Sequence, residues 1–125
     1  MFIGEVSRRT NLTVKAIRFY EEKGLIAVPK RQGRYRVYTA EDVEILTLIS
    51  EAKVLGVTLA ELKDVIRYHN GEVDWARISV FLKKVKRKIE AELESLSNKA
   101  EKVDQCIASI DSCHKSLDPP LKGRR

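Results

Sequence analysis

The stretch TVKAIRFYEEKGLIAVPKRQGRYRVYT, residues 13–39, decides the fold. It opens on Thr13, whose hydroxyl suits a helix N-cap. Val14, Ile17 and Leu25 are placed to reach a core, while Lys15, Arg18 and Glu22 fall on another face. The pattern predicts a helix to about Lys23, stopped at Gly24, because glycine accepts the left-handed conformation without penalty. Ile26 to Pro29 and Tyr35 to Tyr38 then read as two short strands around Gly33, with Pro29 confined to an edge. The hairpin carries Lys30, Arg31, Arg34 and Arg36. A basic helix followed by a basic hairpin is what a reading helix and a phosphate-tracking wing require.

Outward from this stretch, residues 3–10 (IGEVSRRT) predict a short helix, and Asn11-Leu12 a tight turn into the next. The pair forms a helix-turn-helix candidate, with a plain αα-hairpin as the alternative. On the other side, Thr39-Ala-Glu-Asp42 opens a helix in capping-box style, with Val43, Leu46, Ile49, Ala52 and Val54 as its apolar side and Gly56 as its stop. Thr58-Leu-Ala-Glu61 is a second capping box, opening a helix that carries Leu59, Leu62, Val65 and Ile66 and ends near Asn70-Gly71. From Ile78 through Leu82, Val85, Ile89, Leu93, Leu96, Ala100, Val103 and Ile107 to Ile110, apolar residues recur at alternating steps of three and four with one stutter. A helix of about 40 residues is roughly 60 Å long. Such a stripe needs a partner helix, so the sequence predicts a dimer. Asp118-Pro-Pro120 ends the pattern before a basic tail. The expected layout is a basic helix-turn-helix and hairpin head over 1–70, a dimerisation helix over 71–117, and a tail over 118–125. Trp75 is expected to pack on the helix before it.

Charge is unevenly placed. Of 125 residues, the first 40 hold nine Lys/Arg against three acids, whereas residues 41–125 hold 15 of each. The whole net charge of +6 therefore lies in the first third, which points to a polyanion partner. No apolar run approaches the roughly 20 residues that span a bilayer. The N-terminus shows no export signal and the two cysteines read as free thiols, so a cytoplasmic location is expected. No Ser-His-acid set, phosphate-cradling glycine loop or paired His/Glu motif points to an enzyme.

The run VKAIRFYEEKGLI, followed by RYRVYTAEDV and LGVTLAELKDV, resembles the DNA-binding head of the MerR family of transcription regulators. The resemblance covers residues 2–70 closely and reaches more loosely into the long helix. It implies a mainly α fold: a winged helix-turn-helix head, two further helices, and a long helix forming an antiparallel coiled coil. Lys15, Arg18 and Tyr20 then fall on the recognition helix, with Phe19 assigned to the core and Tyr38 open to either role. Tyr35 and Arg36 match wing positions that touch DNA backbone, and Arg31 and Arg34 add phosphate contacts. Gly33-Arg34 replaces the family's usual Asn-Gly. The resemblance further implies a homodimer on a pseudo-palindromic promoter operator. There it distorts the spacer to activate transcription by RNA polymerase in response to a small effector.

No large C-terminal domain follows the long helix, which is similar to short family members that sense metals or thiol chemistry. The ligand inventory is Cys106, Cys113, His114 and His69. Cys113 sits where the first of two metal-binding cysteines would be, and the second is missing. Cys106 lies seven residues earlier, about 10.5 Å away along a continuous helix, too far to share one ion or a disulfide without bending the chain. A soft ion such as Cu(I) or Zn(II) suits Cys113 with His114. The alternatives are a redox- or electrophile-responsive thiol, or an architectural, excision-factor-like DNA binder with no effector.

Overall fold

The computed structural model describes residues 1–114, with the side chain of His114 and the segment 115–125 outside the description. The expected stop at Asp118-Pro-Pro120 and the tail therefore lie outside the described residues. The chain forms α1 (Ile3–Thr10), α2 (Val14–Glu22), β1 (Lys30–Gln32), β2 (Tyr35–Val37), α3 (Ala40–Val54), α4 (Leu59–Val65), β3 (Tyr68–His69), β4 (Glu72–Val73) and α5 (Trp75–His114). It divides into one compact unit over Met1–Phe81 and a second that starts at Leu82.

Local chemistry sets the head's boundaries. Asn11, in the left-handed region at φ 60°, turns α1 into α2, and the Thr13 hydroxyl accepts from the Ala16 N–H at 3.0 Å. Two helices end in the same way. At α2 the Leu25 N–H returns to the Tyr20 carbonyl and the Gly24 N–H to Glu21; at α3 the Val57 N–H returns to Ala52 and the Gly56 N–H to Lys53. Both are Schellman stops, and each carries glycine at the position that needs a positive φ. Reciprocal capping boxes, Thr39 with Asp42 and Thr58 with Glu61, open α3 and α4.

The core gathers Val6, Ile17, Leu25, Ile26, Tyr38, Ile45, Leu46 and Ile49, all essentially closed to solvent, with α1 against both α2 and α3. On α3 the buried set is Ile45, Leu46, Ile49 and Ala52. Val54, expected on this stripe, is exposed. It follows Ile45 by nine residues, two and a half helical turns, so it emerges on the opposite side.

The hairpins correct two expectations. The first wing strand is Lys30–Gln32, not Ile26–Pro29, and it pairs antiparallel with β2 in the register Lys30↔Val37 and Gln32↔Tyr35. A two-residue turn at Gly33-Arg34, with Gly33 at φ 65°, fixes that register, and Leu25 and Ile26 are drawn into the core instead. Just beyond β2, the backbone of Tyr38 exchanges hydrogen bonds with Met1, at 2.7 and 3.2 Å. Second, α4 stops at Val65, and Asn70-Gly71 forms the turn of an additional hairpin, with φ 53° and 82°. Two successive positive φ values are what a tight hairpin turn demands, and Asn-Gly supplies them at low strain. Val73 and Ile78 are buried, which fixes this hairpin and the first turn of α5 into the Met1–Phe81 unit. The Trp75 indole N–H donates to Glu41 of α3 at 3.3 Å.

Two phenols tie these parts together. The Tyr68 hydroxyl donates to the Leu25 carbonyl at 3.0 Å, and that of Tyr38 to Glu21 at 3.3 Å. Burial first, then neighbouring carboxylates (Glu21 for Tyr38, Asp42 for Tyr68), push both up to about 12 from the ordinary 10.0. The fold therefore keeps protons that the unfolded chain releases. This contribution is fully present below pH 10 and is lost as pH rises toward 12. Urea titrations across that window should show falling stability, and Tyr38→Phe with Tyr68→Phe should flatten the fall.

Candidate nucleic-acid interface

On α2 the helical period separates two roles. Ile17 and Tyr20, three residues apart, face inward, and the Glu21 side chain beside them is only 10% exposed. Lys15, Arg18, Phe19 and Glu22 face out. The expected roles of the two aromatic residues are thereby reversed. Tyr20 is a core ring at 4% exposure, so its face is not offered to a sugar, while Phe19, assigned to the core, is 41% exposed. The reason is phase: Tyr20 shares the side of Ile17, and Phe19, two residues after Ile17, points away from it.

Glu21 joins the helix to the hairpin. Its carboxylate accepts from Arg36 Nε at 3.1 Å and from the Tyr38 hydroxyl at 3.3 Å. Arg36, read from sequence as a phosphate contact, is thus half-buried and paired within the head. Lys30, Arg31 and Arg34 are exposed, and an Arg31 guanidinium N–H reaches the Arg34 carbonyl across the turn at 3.5 Å. Tyr35, 62% exposed, sets its ring 5.8 Å from that of Phe2.

The first 40 residues hold three acids, and two are engaged: Glu5 pairs with Arg9 at 3.0 Å and Glu21 with Arg36. Among the described residues Lys15, Arg18, Lys30, Arg31 and Arg34 have no acidic partner. Their charge is available to an external polyanion. Guanidinium groups on a helix surface and a wing match phosphate oxygens and guanine edges in geometry.

The thiols are also placed. Cys106 and Cys113 are free and exposed on α5, and the side chain of His114 is outside the description. Among the described residues no group of three or more His, Cys, Asp or Glu is arranged to hold a metal ion. No helix there is long and apolar enough to cross a membrane.

Sequence reasoning missed Glu21, whose partners lie 15 and 17 residues away, a separation no local pattern encodes. It also missed the second hairpin, for which Asn70-Gly71 between Tyr68 and Val73 was a legible signal.

A helix-turn-helix with an unpaired basic face, flanked by a basic wing, defines a winged helix-turn-helix DNA-binding protein. The profile of the MerR HTH family regulatory proteins matches residues 1–69. The chain is 38% identical to the HTH-type transcriptional regulator CueR of Salmonella typhi, over 97% of this chain and 88% of that protein. It is 36% identical to the HTH-type transcriptional regulator YfmP of Bacillus subtilis, over 99% and 91%. A crystal structure of a MerR-family transcriptional regulator from Bacillus cereus superposes with a TM-score of 0.54 at 25% identity, covering 94% of this chain and 81% of that one. The chain belongs to the MerR family of HTH transcriptional regulators.

Glu21→Ala leaves the Arg36 guanidinium half-buried without its partner. It should lower stability by roughly 1.5–3 kcal/mol, the range for hydrogen bonds to charged groups. Amide exchange should speed up in Lys30–Val37 before the rest of the head; uniform acceleration would mean that Glu21 does not join helix to wing.

Proposed function

We propose that the protein is a homodimeric transcription regulator that reads a pseudo-palindromic promoter operator with α2 and the β1–β2 wing. The observation that carries this reading is the set of exposed cations without acidic partners, Lys15 and Arg18 on α2 and Lys30, Arg31 and Arg34 on the wing. Arg18 reads a base edge; Lys15 and the wing cations hold phosphates, with Tyr35 beside them. Arg36 positions the wing through Glu21, and Tyr20 supports α2 from below. Arg18→Ala should cost about 1–3 kcal/mol of specific binding and relax base preference, whereas Arg34→Ala should weaken all sequences alike and lower the salt slope by about one. Competition titrations at several salt concentrations, on a duplex selected from random DNA, separate the two.

The dimer follows from α5. Leu93, Leu96, Val103, Ile107 and Ile110 are between 51% and 66% exposed along one seam, an apolar stripe that a second copy covers. Two heads then lie on one duplex. Bending or untwisting the spacer between promoter elements costs about 1–6 kcal/mol, offset by the added backbone contacts, and brings both elements to RNA polymerase. Leu96→Asp together with Val103→Asp puts carboxylates in that seam. Sedimentation should show monomer or unfolded chain; an intact folded dimer would refute the assignment.

The effector response is assigned to Cys113 with His114, taking a soft ion such as Cu(I) or Zn(II). Cys113 lies in the last described turn of α5, while Cys106 is two turns inside regular helix. Residues 115–125 hold no further Cys or His, so on this reading any additional soft ligand comes from the partner protomer. Cys113→Ser should abolish induction of a promoter fusion by copper, zinc, cadmium or a thiol oxidant and leave operator binding intact, with Cys106→Ser milder. A parental response from Cys113→Ser would place sensing elsewhere.

A further inference from the structure

We propose that Phe19 is a specificity-determining residue that reads the C5-methyl group of a thymine in the major groove. The inference rests on the operator-reading role of α2 and goes beyond it by assigning a base contact to an apolar side chain. Along α2, Lys15, Phe19 and Lys23 follow at intervals of four, so they form one stripe. Opposite the buried Ile17 and Tyr20, the centre of the exposed surface is occupied by Lys15, with Phe19 and Glu22 on either side. A large ring, 41% exposed, therefore stands within the surface that faces the bases.

The ring is also held. Its edge meets the buried ring of Tyr20 at 5.7 Å with an interplanar angle of 66°, and the Lys23 ammonium sits 5.4 Å from its centroid. Its inner side closes a cleft of about 290 Å³ between α2 and the α3–α4 turn, lined in part by Ile49, Val57, Leu59 and Leu62. A ring held by Tyr20 and Lys23 presents its exposed edge at little entropic cost on binding. Lys15 and Arg18 meet acceptors, phosphate oxygens or the O6 and N7 of guanine. An apolar edge among them finds one apolar feature in the groove, the thymine methyl.

The test uses the full-length protein and a duplex enriched from random DNA. Each thymine of the enriched site is replaced in turn by deoxyuridine, which removes only the methyl group. We expect one position per half-site at which the change weakens binding about fourfold, the value of one buried methyl group, and about fifteenfold when both half-sites are changed. Phe19→Ala should bind the thymine and deoxyuridine duplexes equally at that position while keeping the guanine preference that depends on Arg18. Phe19→Leu, which keeps an apolar contact and a filled cleft, should keep part of the methyl preference. If no deoxyuridine substitution weakens the parent protein, or if Phe19→Ala keeps the full penalty, Phe19 only lids the cleft and the proposal falls alone. If no sequence is enriched, the operator-reading role falls and this proposal with it.

Discussion

The Glu21 carboxylate is the point on which the placement of the wing against α2 depends. It sits at the end of α2, 10% exposed, and accepts from both Arg36 on the wing and Tyr38 just beyond it. An acid so enclosed is stable only with donors around it. The two donors come from one short segment, so satisfying the charge also sets the angle between helix and hairpin. A three-residue strand pair has little stability of its own. Its anchors are tertiary: Glu21 to Arg36, Met1 to the Tyr38 backbone, and Phe2 to Tyr35. The wing is a positioned device because residues at the chain start and at the end of α2 hold it.

The same logic governs the start of α5. Asp74 accepts from the Arg77 N–H at 3.1 Å, and the Asp74 N–H bonds the Arg67 carbonyl at 2.8 Å. Arg77 reaches the Asp64 carbonyl of α4 at 3.1 Å, and Glu41 of α3 accepts from Trp75 at 3.3 Å and from the Val73 N–H at 3.4 Å. The first turn of the long helix is thereby tied to two head helices and to the β3–β4 hairpin.

How much of this was legible follows from the range of the forces involved. Capping boxes at Thr39 and Thr58, the glycine stops at 24 and 56, and the long apolar repeat are contained within a turn or two of sequence, and each lies where its residues put it. The unpaired charge was legible too, because three acids cannot neutralise nine cations. Phase errors account for Phe19, Tyr20 and Val54: an apolar residue on a short helix signals burial by type, yet its angle about the axis decides. The β1 register required knowing that Gly33-Arg34 makes a two-residue turn, where the sequence reading left a five-residue loop over 30–34. Arg36 was the least legible, since an arginine in a basic hairpin looks like its neighbours until a buried carboxylate from another element claims it.

That division of arginines bears on how the head acts. Coulombic attraction to phosphates extends over about a Debye length, near 8 Å at physiological salt, and does not discriminate between sequences. Arg31 and Arg34, exposed at the turn, are the wing arginines placed to act over that range. Arg36, neutralised by Glu21, adds little long-range field and instead fixes where the other two stand. Residues 41–125 are neutral in sum, so attraction to a polyanion acts through the first 40 residues. In the proposed reading charge brings the head to DNA, and base preference then depends on the exposed α2 side chains, whose positions are set by Ile17, Tyr20 and Glu21 beneath them.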